Sequence, residues 1–273
     1  MFDLDPPQDD GLYTPVVGPW SSAKHHFLRR YIDGFTTAMK AKGWHGLHYI
    51  DLFASAGVER IENGDLDWGS PLIAAQAPNR FTRLHLCELR KKPHSALVKR
   101  LERFTQPQAP QTLLGDANML VAEVIKEIPQ GSLSLAFLDP HGLHLHFDTL
   151  KRLSERRVDF VIFFPDHLDA LRNWERVYQG KPDSNLDLVL GGAPWRDEML
   201  RVSRASWPEV LRTIYVAQIR KLDYTEFEYE RISLPTGRFL YRLIFCSKDK
   251  AGARIWRGIA SKKADGQTSF DFG

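Results

Sequence analysis

Five apolar, strand-like runs, Leu47–Phe53, Arg83–Cys87, Thr112–Leu114, Leu133–Leu138 and Val158–Phe164, alternate with helical stretches at Pro71–Ala77, Pro93–Phe104, Asn118–Ile128 and Phe147–Ser154. Few folds accept that order. Strands separated by helices pair in parallel, with the helices packed on both faces of one sheet. The end of the chain breaks the pattern: Phe227–Leu234 and Phe239–Ser247 are joined only by Pro235-Thr236-Gly237-Arg238. A connection this short cannot cross over, so these two runs are predicted to form an antiparallel hairpin. The expected fold is α/β and Rossmann-like, a mostly parallel sheet of seven strands.

The chain has 273 residues, 43% hydrophobic and 26% charged, enough for one sizeable core. A first helix is predicted over Ser21–Lys40, capped by Ser21 or Ser22, with Phe27, Leu28, Tyr31, Ile32 and Phe35 as its apolar stripe. Residues 1–20, with four prolines, read as an arm laid over the surface, and 21–273 as one domain. Within that domain, about 166–223 reads as a substrate-recognition insertion containing a helix at Trp207–Leu222. No apolar run approaches the ~18 residues of a membrane span, and the acidic start lacks the regions of a signal peptide. A cytoplasmic protein is expected, without membrane partners. Two cysteines, Cys87 and Cys246, each inside an apolar run, exclude a disulfide framework or a cysteine-rich zinc site.

In open parallel sheets, ligands sit beyond the carboxyl ends of the strands, so the residues just after each strand are informative. The first strand delivers Asp51-Leu52-Phe53-Ala54-Ser55-Ala56-Gly57, where small residues such as Ala54 and Gly57 let backbone approach a ligand, Asp51 leaves a carboxylate at the strand tip, and Phe53 joins the candidate cofactor contacts. The second ends in Glu88, an acid able to accept both hydroxyls of a ribose. The third ends in Gly115-Asp116-Ala117, with Asp116 placed for an adenine amino group beside Ala117. The fourth ends in Asp139-Pro140-His141-Gly142. Each has a plain structural alternative: Asp51 and Gly57 as turn residues, Glu88 as a solvated acid, Asp116 as a helix cap. Acids after three successive strands, with Asp-Pro after the fourth, favour a nucleoside-cofactor pocket.

Tyr49–Gly57 resembles the D-x-F-A-G-x-G motif of class I methyltransferases acting on nucleic acids, and Asp139–Gly142 resembles the D/N-P-P-Y/F motif of amino-methyltransferases. Ser55 departs from the usual glycine, and His141 from the second proline, which brings the latter closer to the Asp-Pro-Phe-Gly of tRNA guanine-N2 dimethyltransferases. A broader resemblance is to the three-Cys-motif partner proteins, the TcmP family of bacteria and phages. It rests on Trp20-Ser21-x-x-Lys24-His25, Tyr49–Ala54, Gly69-Ser70-Pro71, Cys87-Glu88, Gly115–Asn118, Phe137–Pro140 with Gly142, and Tyr241–Phe245. The resemblance implies S-adenosylmethionine as cofactor, with Ser70 and Lys24 added to its pocket, and a partner protein bearing a three-cysteine motif. Asp139, Pro140 and His141 become the catalytic candidates: Asp139 and the next carbonyl accept the hydrogens of an exocyclic amine, whose delocalised lone pair is otherwise a poor nucleophile. Proline removes a competing N–H there.

The functional expectation is methyl transfer to an amine of a nucleic-acid base. A non-catalytic or cofactor-sensing partner, and a nucleotide-modifying or nuclease-like enzyme, stay open as alternatives. The histidines at 141, 144 and 146 lack the spacing of a metal site. A formal charge of +3 permits nucleic-acid binding. Two basic clusters point the same way: Lys248, Lys250, Arg254, Arg257, Lys262 and Lys263, and Arg196, Arg201, Arg204 and Arg212 interleaved with Trp195 and Trp207, read as base-stacking aromatics, with a mixed-charge surface over core tryptophans as the alternative.

Overall fold

The computed structural model describes residues 2–140, 142–164, 178, 183–233 and 239–260. The predicted hairpin turn at 235–238, His141, Lys262 and Lys263 lie outside the described residues. The main sheet has the order β6-β5-β2-β7-β8-β10-β9. Its members are β2 (Leu47–Asp51), β5 (Arg83–Glu88), β6 (Gln111–Leu114), β7 (Leu133–Leu138), β8 (Arg157–Phe164), β9 (Glu226–Ser233) and β10 (Phe239–Ser247). Strands β6, β5, β2, β7 and β8 are parallel, and only β10 runs against its neighbours. The chain builds outward from β2 through β5 to β6, then returns to the other side of β2 to lay down β7 and β8. The order therefore reverses between β2 and β7, whose registers pair Leu47 with Leu133 and Asp51 with Phe137. A crevice opens at the carboxyl ends where such a reversal occurs.

The central strands β2, β5, β7 and β8 are buried on both faces, which is why they read as largely apolar runs rather than alternating ones. One face packs on α1 (Trp20–Met39), α2 (Ser70–Ala75), α3 (Lys91–Leu101) and α9 (Lys250–Ala260); Tyr31 of α1 meets Phe245 and Trp256, which stack 4.8 Å apart. The other face packs on α4 (Ala117–Lys126), α5 (Phe147–Leu153), α6 (Asn185–Val189), α7 (Trp195–Leu200) and α8 (Trp207–Arg220). The described part of the segment expected to be an insertion, 183–223, thus covers the sheet: Leu186, Leu190, Trp195, Met199, Leu211 and Tyr215 are core residues.

Three expectations change. First, α1 starts at Trp20 behind Pro19, with no side-chain cap; the Ser21 hydroxyl is spent instead on Glu59. Second, Trp195 and Trp207 are only 0% and 4% exposed, so neither offers a face to a base. Their arginine neighbours have local partners: Arg196 pairs with Asp187, Arg212 with Glu209, and Arg204 lies over the Trp207 ring. Third, a small second sheet of β1 (Val16–Val17), β3 (Val58–Ile61) and β4 (Leu66–Trp68) stands beside the main one, which short runs broken by charges did not reveal. Strand β1 belongs to residues 1–20, and Arg100 of α3 holds that segment down: its guanidinium grips Asp10 through two bonds of 2.8 and 2.9 Å and reaches the Tyr13 and Ala56 carbonyls and the Thr14 hydroxyl. No helix among the described residues is long and apolar enough to cross a membrane.

Candidate functional site

A cleft of about 440 Å³ opens at the carboxyl ends of β2, β5 and β6, lined by Phe53, Glu88, Asp116 and Ala117 from the predicted set. Glu88 is held rather than solvated: Oε2 accepts the Ser55 N–H at 3.0 Å and Oε1 the Arg90 N–H at 2.8 Å. Ser55 sits at φ +53°, the left-handed conformation that favours glycine. The motif's glycine position thus keeps its backbone conformation with a serine in place, and this turns its N–H toward Glu88. Asp116 caps α4, accepting the Asn118 N–H at 2.7 Å, so the cap reading holds while the residue also lines the cleft.

Asn118, also in the lining, ties the far wall together. Its Nδ2 donates to the His144 carbonyl at 2.9 Å, and its Oδ1 accepts the His146 N–H at 3.0 Å and the Thr149 hydroxyl at 2.7 Å. Sequence reasoning passed over this role, as it did Arg90, Leu89 and Asn185 in the lining. Burial lowers the pKa of His146. Among the described residues no group of histidines, cysteines and acids is placed to hold a metal ion.

The other predicted cofactor residues lie beneath the cleft. Asp51 is fully buried, accepting from the Phe53 N–H at 3.1 Å, the Ser70 hydroxyl at 2.6 Å and the Tyr49 hydroxyl at 3.4 Å. Desolvation pushes its pKa up to about 7, against these bonds. Asp51 therefore fixes the 52–57 turn to the start of α2 and presents no free oxygen to a ligand. Ala54 is buried too, with its N–H on the Cys87 carbonyl. Gly57, at φ +78°, packs where a Cβ would strike Leu72 and Leu97. Its glycine serves the close approach of two helices.

Lys24 is not in this lining. From the buried stripe of α1 its ammonium reaches across to Asp139 at the end of β7, and the two side chains are only 8% and 18% exposed. The ammonium also lies 5.6 Å from the Phe163 ring centre. Lysine takes one carboxylate oxygen, Oδ2; among the described residues Oδ1 has no hydrogen bond. Pro140 borders a narrow apolar nook with Gly142, Ile162, Phe164 and Tyr215. The carboxyl-end edge of the sheet thus carries a cleft of small-molecule size and, at the end of β7, an oriented carboxylate.

No family model matches the chain, and no curated protein does. Among solved structures it is similar to a Legionella pneumophila protein with the family model DUF519, at TM-score 0.51 and 10% identity, over 87% of this chain and 91% of that one. The fold is Rossmann-like α/β, a mostly parallel seven-stranded sheet with helices on both faces. Two further structures align at TM-score 0.48 and 11% identity. One is an O-methyltransferase from Bacillus cereus in complex with S-adenosylhomocysteine, over 84% of this chain and 82% of that one. The other is the O-methyltransferase TomG from Streptomyces achromogenes in complex with S-adenosylmethionine, over 83% and 81%.

Proposed function

We propose that this protein is an S-adenosylmethionine-dependent methyltransferase acting on an exocyclic amine, and that the amine belongs to a nucleic-acid base. The observation that carries the reading is the Lys24–Asp139 pair at the end of β7, on the same carboxyl-end edge of the sheet as the cleft lined by Glu88. The cleft fits the cofactor: its volume lies within the ~300–1,000 Å³ of small-molecule sites, Glu88 has lone pairs left for ribose hydroxyls, and Asp116 sits at the adenine end. Bound there, the cofactor supplies an electrophilic methyl group.

The chain's own residues do the rest. Lys24 fixes the Asp139 carboxylate through Oδ2 and balances its charge. Oδ1 is left to accept a hydrogen bond from the target amine, localising its lone pair; the C–N bond would form as the methyl–sulfur bond breaks to release S-adenosylhomocysteine, and the ammonium proton would pass to solvent afterwards. Pro140 has no N–H to compete at that spot. The apolar nook excludes water from the reacting amine. Its breadth cannot admit a whole base without movement of the 143–145 segment, which Asn118 anchors from the other side. Nucleic acid as the polymer rests on the motif resemblance and on the basic end of the chain, no longer on tryptophan stacking. A partner bearing a three-cysteine motif belongs to the same proposal and rests on the TcmP resemblance.

Calorimetric titration with S-adenosylhomocysteine tests the cofactor directly. Glu88→Ala is expected to weaken binding by roughly 1.5–3 kcal/mol, the range for a hydrogen bond to a charged group. Unchanged affinity would remove the ribose assignment. Radiolabelled methyl transfer to bulk RNA and DNA then tests the substrate class.

A further inference from the structure

A second cavity, of about 280 Å³, lies at the opposite end of the sheet, where β7 and β8 begin. Its walls are apolar and one is aromatic: Met39, Trp44, Leu133 and Val158. Among them sits one acid. Asp159, on β8, is 6% exposed, bonds to the Ser247 hydroxyl, and plays no part in the cofactor cleft. A carboxyl buried in apolar surroundings is costly without full hydrogen bonding, and burial pushes this one up to about 7.

The helix beside it packs close. Gly252 stands in the first helical turns of α9, and a Cβ there would come within 2.8 Å of Asp159 Oδ2 and 3.0 Å of the Ser247 hydroxyl oxygen. Glycine inside a helix costs about 1 kcal/mol against alanine. The chain bears that cost so that the helix backbone can lie against the acid and its serine partner, at one edge of the cavity. The mouth has the opposite character to the interior: Lys42, Arg157 and Lys248 line it against one further acid, Asp249, which pairs with Arg157 at 3.6 Å. Lys248 also donates to the Ser154 carbonyl, leaving it further donors.

A buried carboxyl inside, apolar walls with one indole ring, and exposed cations in the lining together describe a ligand. It has a planar body, an amino group at its inner end and an anion at its outer end. We propose that this cavity is a binding site for a nucleoside monophosphate, with the base amino edge on Asp159, the ring along Trp44 and the phosphate at Lys42, Arg157 and Lys248. At the small end of ligand pockets, it suits a base with its sugar turned outward. The assignment is independent of the methyltransferase reading, since none of these residues lines the cleft.

Full-length protein saturated with S-adenosylhomocysteine is titrated by calorimetry with AMP, CMP, adenosine and inorganic phosphate. At least one monophosphate is expected to bind with Kd below about 1 mM. Lys42→Glu, an exposed change that leaves the core alone, should weaken that monophosphate about tenfold while leaving adenosine unaffected. Trp44→Ala, which removes the ring the base lies along, should weaken nucleotide and nucleoside alike by about tenfold. Phosphate binding as tightly as AMP and CMP would reduce the site to a basic rim and overturn the proposal. So would monophosphate binding indifferent to both substitutions, or the absence of saturable binding by any probe. Wild-type protein titrated without S-adenosylhomocysteine separates the two sites: an additional AMP event there belongs to the cleft, and AMP binding seen only there overturns the assignment.

Discussion

Asp139 and Lys24 lie 115 residues apart, and their meeting fixes what either can do. An acid that accepts hydrogens from an amine needs a correctly placed oxygen; an acid that held a metal or activated a water would need its charge. Asp139→Asn is therefore expected to keep measurable methyl transfer and Asp139→Ala to lose it, both binding S-adenosylhomocysteine normally. An Asn variant as dead as Ala, with cofactor binding intact, would count against amine methylation. Lys24→Met removes the partner of a mostly buried carboxylate, and stranding such a charge costs up to ~3–5 kcal/mol. A loss of about 2 kcal/mol in denaturant titration is expected, together with a fall in kcat larger than any rise in KM for the cofactor. Lys24→Arg should restore stability more than activity, because a planar fork does not reproduce a point charge.

Elements here are joined by single polar side chains acting as ties. Arg100 links α3 to residues 10–14 and to the Ala56 carbonyl, and it is 1% exposed. Asp10→Ala would leave this guanidinium buried without its carboxylate, so a destabilisation of about 3 kcal/mol is expected, with faster proteolysis of the first 17 residues. The pair also carries a pH signature. Arg100 holds Asp10 down to about 2 from 3.8, so its contribution is present above pH 3.8 and is lost as pH falls toward 2. Asn118 ties α4 to the 144–146 segment in the same manner. Asn118→Ala should weaken S-adenosylhomocysteine binding by roughly 1–2 kcal/mol, the cost of unpaired buried groups, with little change in thermal stability. Equal losses in both would make Asn118 a structural residue alone.

For the whole molecule, four buried titratable groups pull stability in opposite directions with pH. His48 and His85 share a 2.9 Å contact, and burial lowers both from 6.5 to about 4. Between those values the unfolded chain binds the extra protons, so their contribution is intact above pH 6.5 and falls as pH drops toward 4. Asp51 and Asp159 are raised from 3.8 to about 7. Between those values the folded chain binds the extra protons, so stability falls as pH rises toward 7. The two slopes oppose each other over nearly the same window. Asp159→Asn removes one falling slope, and its stability relative to wild type is expected to be greater at pH 8 than at pH 5 by on the order of 2 kcal/mol. Urea titrations of both proteins at the two pH values measure this; an equal difference at each would mean that Asp159 does not titrate on folding.

Read alone, the sequence determined the five parallel strands, the reversal of the final strand and the acids at the strand ends. Each is written locally: the runs Leu133–Leu138 and Phe239–Ser247 match the structure end for end, and Leu133–Leu138, buried on both faces, is apolar but for Ser134. Glu88, Asp116 and Asp139 stood out because they follow such runs. Tertiary structure alone decided what those acids touch. Nothing near Asp139 announces Lys24, and nothing near Glu88 announces that Ser55 and Arg90 occupy it. The same holds for Trp195 and Trp207, whose arginine neighbours suggest a surface while the sheet face beneath them demands cover. Short-range periodicity specifies an element and which face it buries; the partner on that face comes from a distant part of the chain, and only folding brings it there.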